Sequence, residues 1–323
     1  MDYADKNSVW LTSVGLVTPW GLGLEACREG LAGRQPLPEP ARCPPVDLAD
    51  YLPAEKTYLD RCSELALLGA ALALLGGGVT AGVVAPELQE GAEQVGVVQA
   101  DRFGLALGTA YGCLDSMYAN SQRVQTKGAR LASPLLFMHS FANAPASLIA
   151  IEWGLRGPGA TFTDGSLSAA SALSWSVDLL RRGQVDMMLV GGVEALSEPL
   201  LRAVEADPAL ARGETPLEAA AFFLLERGEM AARRGTSPLA QVEAATLTWT
   251  PPTGRRRRAA ALAGRFRRDP RPGWEAFGAH CALRLAQSLA AAPASARRRR
   301  AAAPVSWREV VGNREGKITL RLA

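Results

Sequence analysis

The residues best suited to acid–base, nucleophilic or metal chemistry are few in this chain. It has two histidines, His139 and His280, and five cysteines, Cys27, Cys43, Cys62, Cys113 and Cys281. The cysteines are odd in number and show no C-x-x-C or similar spacing, so neither a disulfide framework nor a metal site is expected. A histidine acts as a general base only within hydrogen-bond reach of the group it deprotonates. His139 stands between Pro134 and Pro145, and His280 lies in Glu275-Ala276-Phe277-Gly278-Ala279-His280-Cys281-Ala282. Runs of four arginines at 255–258 and 297–300 read either as solvated surface or as a patch for an acidic partner. A formal net charge of only +3 sets up no global field for nucleic acid.

The elements that must position these residues alternate between strand and helix. Apolar runs at Val9 to Val17, Gly104 to Gly108 and Val185 to Gly191 read as buried strands. Thr161 to Thr163 is a short strand running into Asp164-Gly165-Ser166. Helices are expected over Leu24 to Leu31, Tyr58 to Leu75, Leu114 to Arg123 and Ala146 to Trp153. Another spans Ser168 to Arg182, rich in alanine and serine, whose small side chains let it approach neighbouring backbone in a buried position. The stretches 33–53 and 134–145 are punctuated by proline and read as loops. Further on, Ala219 to Leu225 and Leu239 to Trp249 are strand-like, Trp274 to Ala291 helical, and Ile318 to Leu322 a closing strand. Residues 250–273 lack an apolar period and read as loop. Such alternation means an α/β fold. With 48% hydrophobic residues over 323 positions the chain can bury a large core without staples. No leader-like segment opens the sequence and no apolar run is long enough to span a bilayer, so a soluble, cytoplasmic protein without a membrane partner is expected.

Several segments together resemble the β-ketoacyl synthases of the thiolase fold. Val9-Trp10-Leu11-Thr12-Ser13-Val14-Gly15-Leu16-Val17-Thr18-Pro19-Trp20-Gly21 is similar to their first strand and turn, and Tyr58-Leu59-Asp60-Arg61 to the motif that begins an early helix. Gly108-Thr109-Ala110-Tyr111-Gly112 resembles the glycine-rich turn facing the acyl pocket. Gly154-Leu155-Arg156-Gly157-Pro158 followed by Thr161 resembles the approach to the nucleophile, and Asp186 to Ser197 the strand and turn after it. The motifs come in family order and spacing over most of residues 8 to 230. The resemblance implies an α/β thiolase-like fold of layered αβαβα type. Its N-terminal half, residues 1–200, would hold the dimer interface and the nucleophile turn. A shortened C-terminal half, residues 201–323, would carry an arginine-rich loop near 251–273.

The departures from the family pattern are informative. Active ketosynthases place a cysteine in a T-A-C-x-[SG] turn at a helix N-terminus, which favours the thiolate. Here the turn reads Thr163-Asp164-Gly165-Ser166-Leu167-Ser168, with Ser166 at the cysteine's place. The family's two catalytic histidines, in HGTGT and K-x-x-x-G-H motifs, have no counterpart: the second would fall near Glu275, and His280 falls at a structural position. Gly312-Asn313-Arg314 replaces the gating loop. A serine needs a base to attack a thioester, and none is evident in the sequence. Ser166 therefore reads as a degenerate remnant. Asp164 is expected to satisfy backbone amides rather than to serve as base.

A subunit without condensing chemistry makes sense beside a competent one. The resemblance points to the chain length factors of type II polyketide synthases, which pair with a ketosynthase and bound its acyl tunnel, and among them to the highly reducing, polyene-forming kind. Tyr111, Leu114, Met117 and Tyr118 would lie where interface meets tunnel, and Phe137, Met138, His139 and Phe141 in a loop crossing the dimer axis. No cofactor or metal of its own is implied. The phosphopantetheine arm of an acyl carrier protein would reach the partner, and the arginine runs could dock that acidic protein. Two other readings stay open: a Ser166-dependent acyltransferase or thioesterase on carrier-bound substrates, and a scaffold that only stabilises a ketosynthase.

Overall fold

A computed structural model describes residues 7–52, 56, 58–80, 84–85, 98–249, 267–268, 274–291, 304–311 and 314–323. Among them the strands longer than two residues are β1 (Val9–Thr18), β2 (Phe103–Gly108), β3 (Gly159–Phe162), β4 (Met187–Glu194), β5 (Ala219–Arg227), β6 (Ala240–Trp249), β7 (Val305–Val311) and β8 (Arg314–Leu322). The helices are α1 (Gly23–Leu31), α2 (Arg61–Gly76), α3 (Leu114–Lys127), α4 (Pro134–Met138), α5 (Ala144–Trp153), α6 (Ser168–Arg181), α7 (Glu198–Ala206), α8 (Gly228–Arg234) and α9 (His280–Ala291).

The strands join in the order β7-β8-β6-β1-β5-β4-β2-β3. β2 runs parallel to β3 and β4, and the other pairs are antiparallel. β1 meets β6 only at Trp10↔Gln241 and Leu11↔Ala240, a short seam between two half-sheets. Helix α6 packs on β2 and β4 of one half and on β6 and β8 of the other. One core surrounds it, with Leu16, Val190 and Phe223 from the first half-sheet and Val242, Ile318 and Leu320 from the second. On the far face of the first half-sheet, Leu107, Leu189 and Phe222 pack under α2 and α5. This yields α, β, α and β layers. β2 and β4 are buried along their whole length, as strands covered on both faces must be.

Small residues permit the close approach of α6. A Cβ on Gly108 would stand 2.4 Å from the Ala169 nitrogen and 2.4 Å from the Ser168 carbonyl carbon, so glycine is needed where β2 meets the helix N-terminus.

The structure shifts several expected boundaries. The early helix starts at Arg61, not Tyr58, because Asp60 caps it by accepting from the Cys62 amide at 2.9 Å. The stretch 134–145 is not all loop. Ser133 caps α4, with Pro134 in its first turn, so Phe137 and Met138 are helical, and α5 begins at Ala144. Trp274 and Glu275 are not helical either: they pair with Thr215 and Pro216 as a parallel bridge, and the helix starts only at His280. Within 250–273, Arg267–Arg268 pairs with β7, and the rest of that stretch lies outside the described residues, as do both arginine runs.

Candidate functional site

The nucleophile turn is a single tight turn over Gly165–Leu167 that leads straight into α6. Gly165 takes a left-handed φ of +60°, which glycine adopts without strain. The Ser168 hydroxyl accepts from the Asp164 amide at 2.8 Å and donates to the Thr109 carbonyl at 3.0 Å, tying the turn to the end of β2.

Ser166 is buried, and its hydroxyl is doubly engaged. It donates to Glu309 Oε1 at 2.7 Å and accepts from Arg212 Nη2 at 2.7 Å. Arg212 Nη1 donates to the same Glu309 oxygen at 2.9 Å. The Arg212 Nε lies 3.7 Å from Glu275 Oε2. Glu275 Oε1 accepts from the Phe277 amide at 2.8 Å and lies 3.3 Å from His280 Nδ1. Glu275, His280 and Glu309 are all buried. The position where a family histidine would fall thus holds a buried acid, paired to an arginine and a histidine.

Two expectations are corrected here. Asp164 does not serve backbone amides. Arg314 grips it bidentately, at 2.6 and 2.8 Å, and the Ser171 hydroxyl donates to it at 2.6 Å. The Arg314 guanidinium holds its carboxyl below the usual range, with burial opposing. Both oxygens are held by Arg314, a charge partner the sequence did not suggest. Second, a base does lie within reach of Ser166. Glu309 comes from β7, 143 positions along the chain, which is why local reading missed it. A signal was present: Trp307 and Glu309 alternate inward while Ser306 and Arg308 face out, so the period-2 pattern puts an acid on the core face. Arg212 sits in an irregular segment and gave no such signal.

Behind the turn lies a further buried acid. Glu194 accepts from the amides of Ala110 (2.7 Å), Tyr111 (3.1 Å) and Gly278 (3.0 Å) and from the Thr109 hydroxyl (3.1 Å). Burial raises its carboxyl to about 7 even with the four donors pulling the other way. It fastens the glycine-rich turn after β2 to the segment before α9.

The eight residues expected at an interface or tunnel differ in exposure. Tyr111 and Leu114 are half-buried and pack with Leu196, Leu200, Ala211 and Phe277. The Tyr111 and Phe277 rings meet edge to face, 5.3 Å apart. Met117, Tyr118, Phe137, Met138 and Phe141 are exposed, with Phe137 and Phe141 edge to face at 4.9 Å. His139 is half-buried at the end of α4, and its Nδ1 has no hydrogen-bond partner among the described residues.

A cavity of about 560 Å³ opens on the Asp164–Arg314 side, lined by Phe162, Trp175, Arg181 and Thr246 among others. A smaller one, about 290 Å³, runs between β3 and α5. Neither is lined by Ser166. Among the described residues no group of acids, cysteines and histidines is placed to hold a metal ion, and no helix is long and apolar enough to cross a membrane.

Residues 46–223, more than half of the chain, match the family model for the beta-ketoacyl synthase N-terminal domain. The chain belongs to the β-ketoacyl synthase family. A relative, the tetracenomycin polyketide synthase ketoacyl synthase alpha subunit of Streptomyces glaucescens, is 28% identical over 214 residues. That match takes in 59% of this chain and 47% of the relative, so the chain spans about half the relative's length. Among solved structures, a type II polyketide synthase acyl-carrier protein in complex with its ketosynthase aligns with TM-score 0.76 at 14% identity, covering 98% of this chain and 99% of that one. The ishigamide ketosynthase/chain length factor aligns with TM-score 0.74 at 17% identity and the same coverage. At these identities the likeness is one of fold: this ketosynthase-family chain has the thiolase-type α/β architecture that those structures share.

Proposed function

We propose that this chain is a chain length factor: a subunit silent in condensation that pairs with a competent ketosynthase and bounds the tunnel in which the partner's polyketide grows. The observation that carries this is the unpartnered edge of β3 and the apolar side chains on the helices before it. Among the described residues β3 pairs with β2 on one side only, and its residues, Gly159-Ala160-Thr161-Phe162, include no charge to discourage a partner strand. Met138 is 61% exposed on α4 and Ile151 78% on α5, with Phe137, Phe141, Met117 and Tyr118 exposed as well. So much exposed apolar surface is what an obligate partner covers.

The condensation site supports the same reading. Decarboxylative condensation needs donors aimed at a developing enolate and oxyanion. Where such groups belong, this chain has an arginine already committed to Glu309 and Ser166. Chemistry would fall to the partner, which the phosphopantetheine arm of an acyl carrier protein would reach. Met117 and Tyr118 would then bound the shared tunnel, with Tyr111 and Leu114 packed behind the turn. The polyene kind of product rests on the shortened second half alone.

Co-expression with a ketosynthase having an intact cysteine and both histidines tests the proposal. The expected outcome is a stable 1:1 complex whose product length changes when Met117 is enlarged to tryptophan or reduced to alanine. Purification as a monomer or self-dimer that never captures the ketosynthase would remove the partner role. An unchanged product length across the Met117 series would remove the tunnel role.

A further inference from the structure

Arg212 is placed at a cost. It has a left-handed backbone, φ 57° and ψ 27°, at the end of the single turn Pro208–Ala211, and Gly213 follows at φ 72°. A non-glycine residue there is strained by about 1 kcal/mol or more. The segment from Asp207 to Leu210 is exposed, yet the Arg212 side chain is only 14% exposed because it turns inward. Its neighbour Ala211 packs against Leu200 and Phe277 and so anchors the turn. A surface segment thus spends a strained residue to send one guanidinium onto Ser166 and Glu309.

We infer that Ser166 and Glu309 form a latent acyl-accepting pair and that Arg212 is the latch holding it shut. Three features converge on this. A hydroxyl donating to a carboxylate at 2.7 Å is the arrangement a general base requires. The turn delivers that hydroxyl at the N-terminus of the 14-residue α6, where developing negative charge is favoured. The guanidinium then occupies both atoms the reaction needs. Its Nη2 takes a lone pair of Ser166 Oγ, and its Nη1 binds the Glu309 oxygen that must receive the proton.

The substrate class is an acyl thioester. Once Arg212 withdraws, Ser166 Oγ attacks the thioester carbonyl carbon while its proton passes to Glu309 Oε1. The carbon–sulfur bond breaks, the departing thiolate takes the proton from Glu309, and an ester remains on Ser166. No oxidant or further reactant enters. The resting chain is silent because it is latched, which leaves the partner role untouched; complex formation with a ketosynthase is scored separately by gel filtration, so the two ideas fail independently.

The test uses the full chain and the acetyl thioester of N-acetylcysteamine, with acetylation located by mass spectrometry. Arg212→Met removes the latch. Arg212→Lys keeps the positive charge between Glu275 and Glu309 but has no fork to hold two groups at once, which guards against a variant lost to unpaired buried acids. Acetylation of Ser166 is expected at least tenfold faster in either folded variant than in the parent chain. Adding Ser166→Ala should abolish it, and adding Glu309→Gln should slow it at least tenfold. The inference is overturned if a folded Arg212 variant acetylates no faster than the parent, or if labelling survives Ser166→Ala. It is also overturned if neither variant folds, since a latch is a contact the fold can release.

Discussion

At the scale of single residues, this chain handles its buried acids in two ways. Glu309 and Glu275 face guanidinium or imidazole groups, whereas Glu194 faces only amides and a hydroxyl. The difference has a pH consequence. The Glu194 carboxyl rises from an ordinary 4.5 to about 7 in the fold. Between those values the unfolded chain has already released the proton that the folded chain keeps, so stability falls as pH rises through this window. At about 1.4 kcal/mol per unit the loss approaches about 3 kcal/mol. Asp164 has the opposite sign: its carboxyl is held low by Arg314, so its contribution is present above the usual carboxylate range and lost as pH falls below it. Thermal melts from pH 5 to 8 should therefore show a falling melting temperature in the parent chain. Glu194→Gln should melt lower throughout, because its NH₂ must oppose backbone amides, but with a flatter dependence on pH. A parent chain with the same melting temperature at pH 5 and pH 8 would contradict this account of Glu194.

At the scale of elements, what was legible in the sequence is what local pattern encodes. The apolar runs of β2 and β4 and the alanine–serine content of α6 announce buried strands and a buried helix, and these are the elements that hold the Ser166 turn. The functional charges were not legible because they arrive from afar. Arg212 comes from a turn between α7 and β5, and Arg314 and Glu309 from the final hairpin, joined to the turn only by tertiary packing. Segments such as Trp274–Glu275 misled for a related reason: helical spacing was overridden by pairing with Thr215–Pro216. The fit of α6 against β2 is testable by itself. Gly108→Ala would press a methyl into backbone at 2.4 Å that no side-chain rotamer can relieve. Overpacking of this kind costs about 1–3 kcal/mol, readable as a lowered urea midpoint with unchanged slope. It should also disturb Ser166, since Ser168 and Thr109 are bonded across the same contact. A Gly108→Ala chain as stable as the parent would show that α6 can withdraw from β2 without loss.

At the scale of the molecule, the two half-sheets expose different chemistry at their free surfaces. The outer face of β6, β7 and β8 shows Thr246, Ser306, Arg308, Lys317 and Arg321, a polar surface that tolerates water. The β3 side shows aromatic and aliphatic side chains and, among the described residues, an open strand edge, and it is the surface the proposed partner would cover. The backbone says which atoms a partner strand would use. Leu105 donates to the Pro158 carbonyl and Thr109 to that of Phe162, both at 3.0 Å, so every second residue of this segment faces β2. Gly159 and Thr161, out of phase with those, turn their amides and carbonyls to the open edge. Thr161→Pro therefore deletes an outward donor while leaving the bonds to β2 in place, a position where a strand accepts proline. The variant should keep the parent's cooperative unfolding yet bind a partner ketosynthase at least tenfold more weakly, measured by titration of the purified chains. Ala160→Pro, which strikes an amide on the β2 side, should instead lower stability itself. Equal binding by the parent and a folded Thr161→Pro chain would mean that association does not run through this edge, and the exposed side chains of α3 and α4 would then need another occupant.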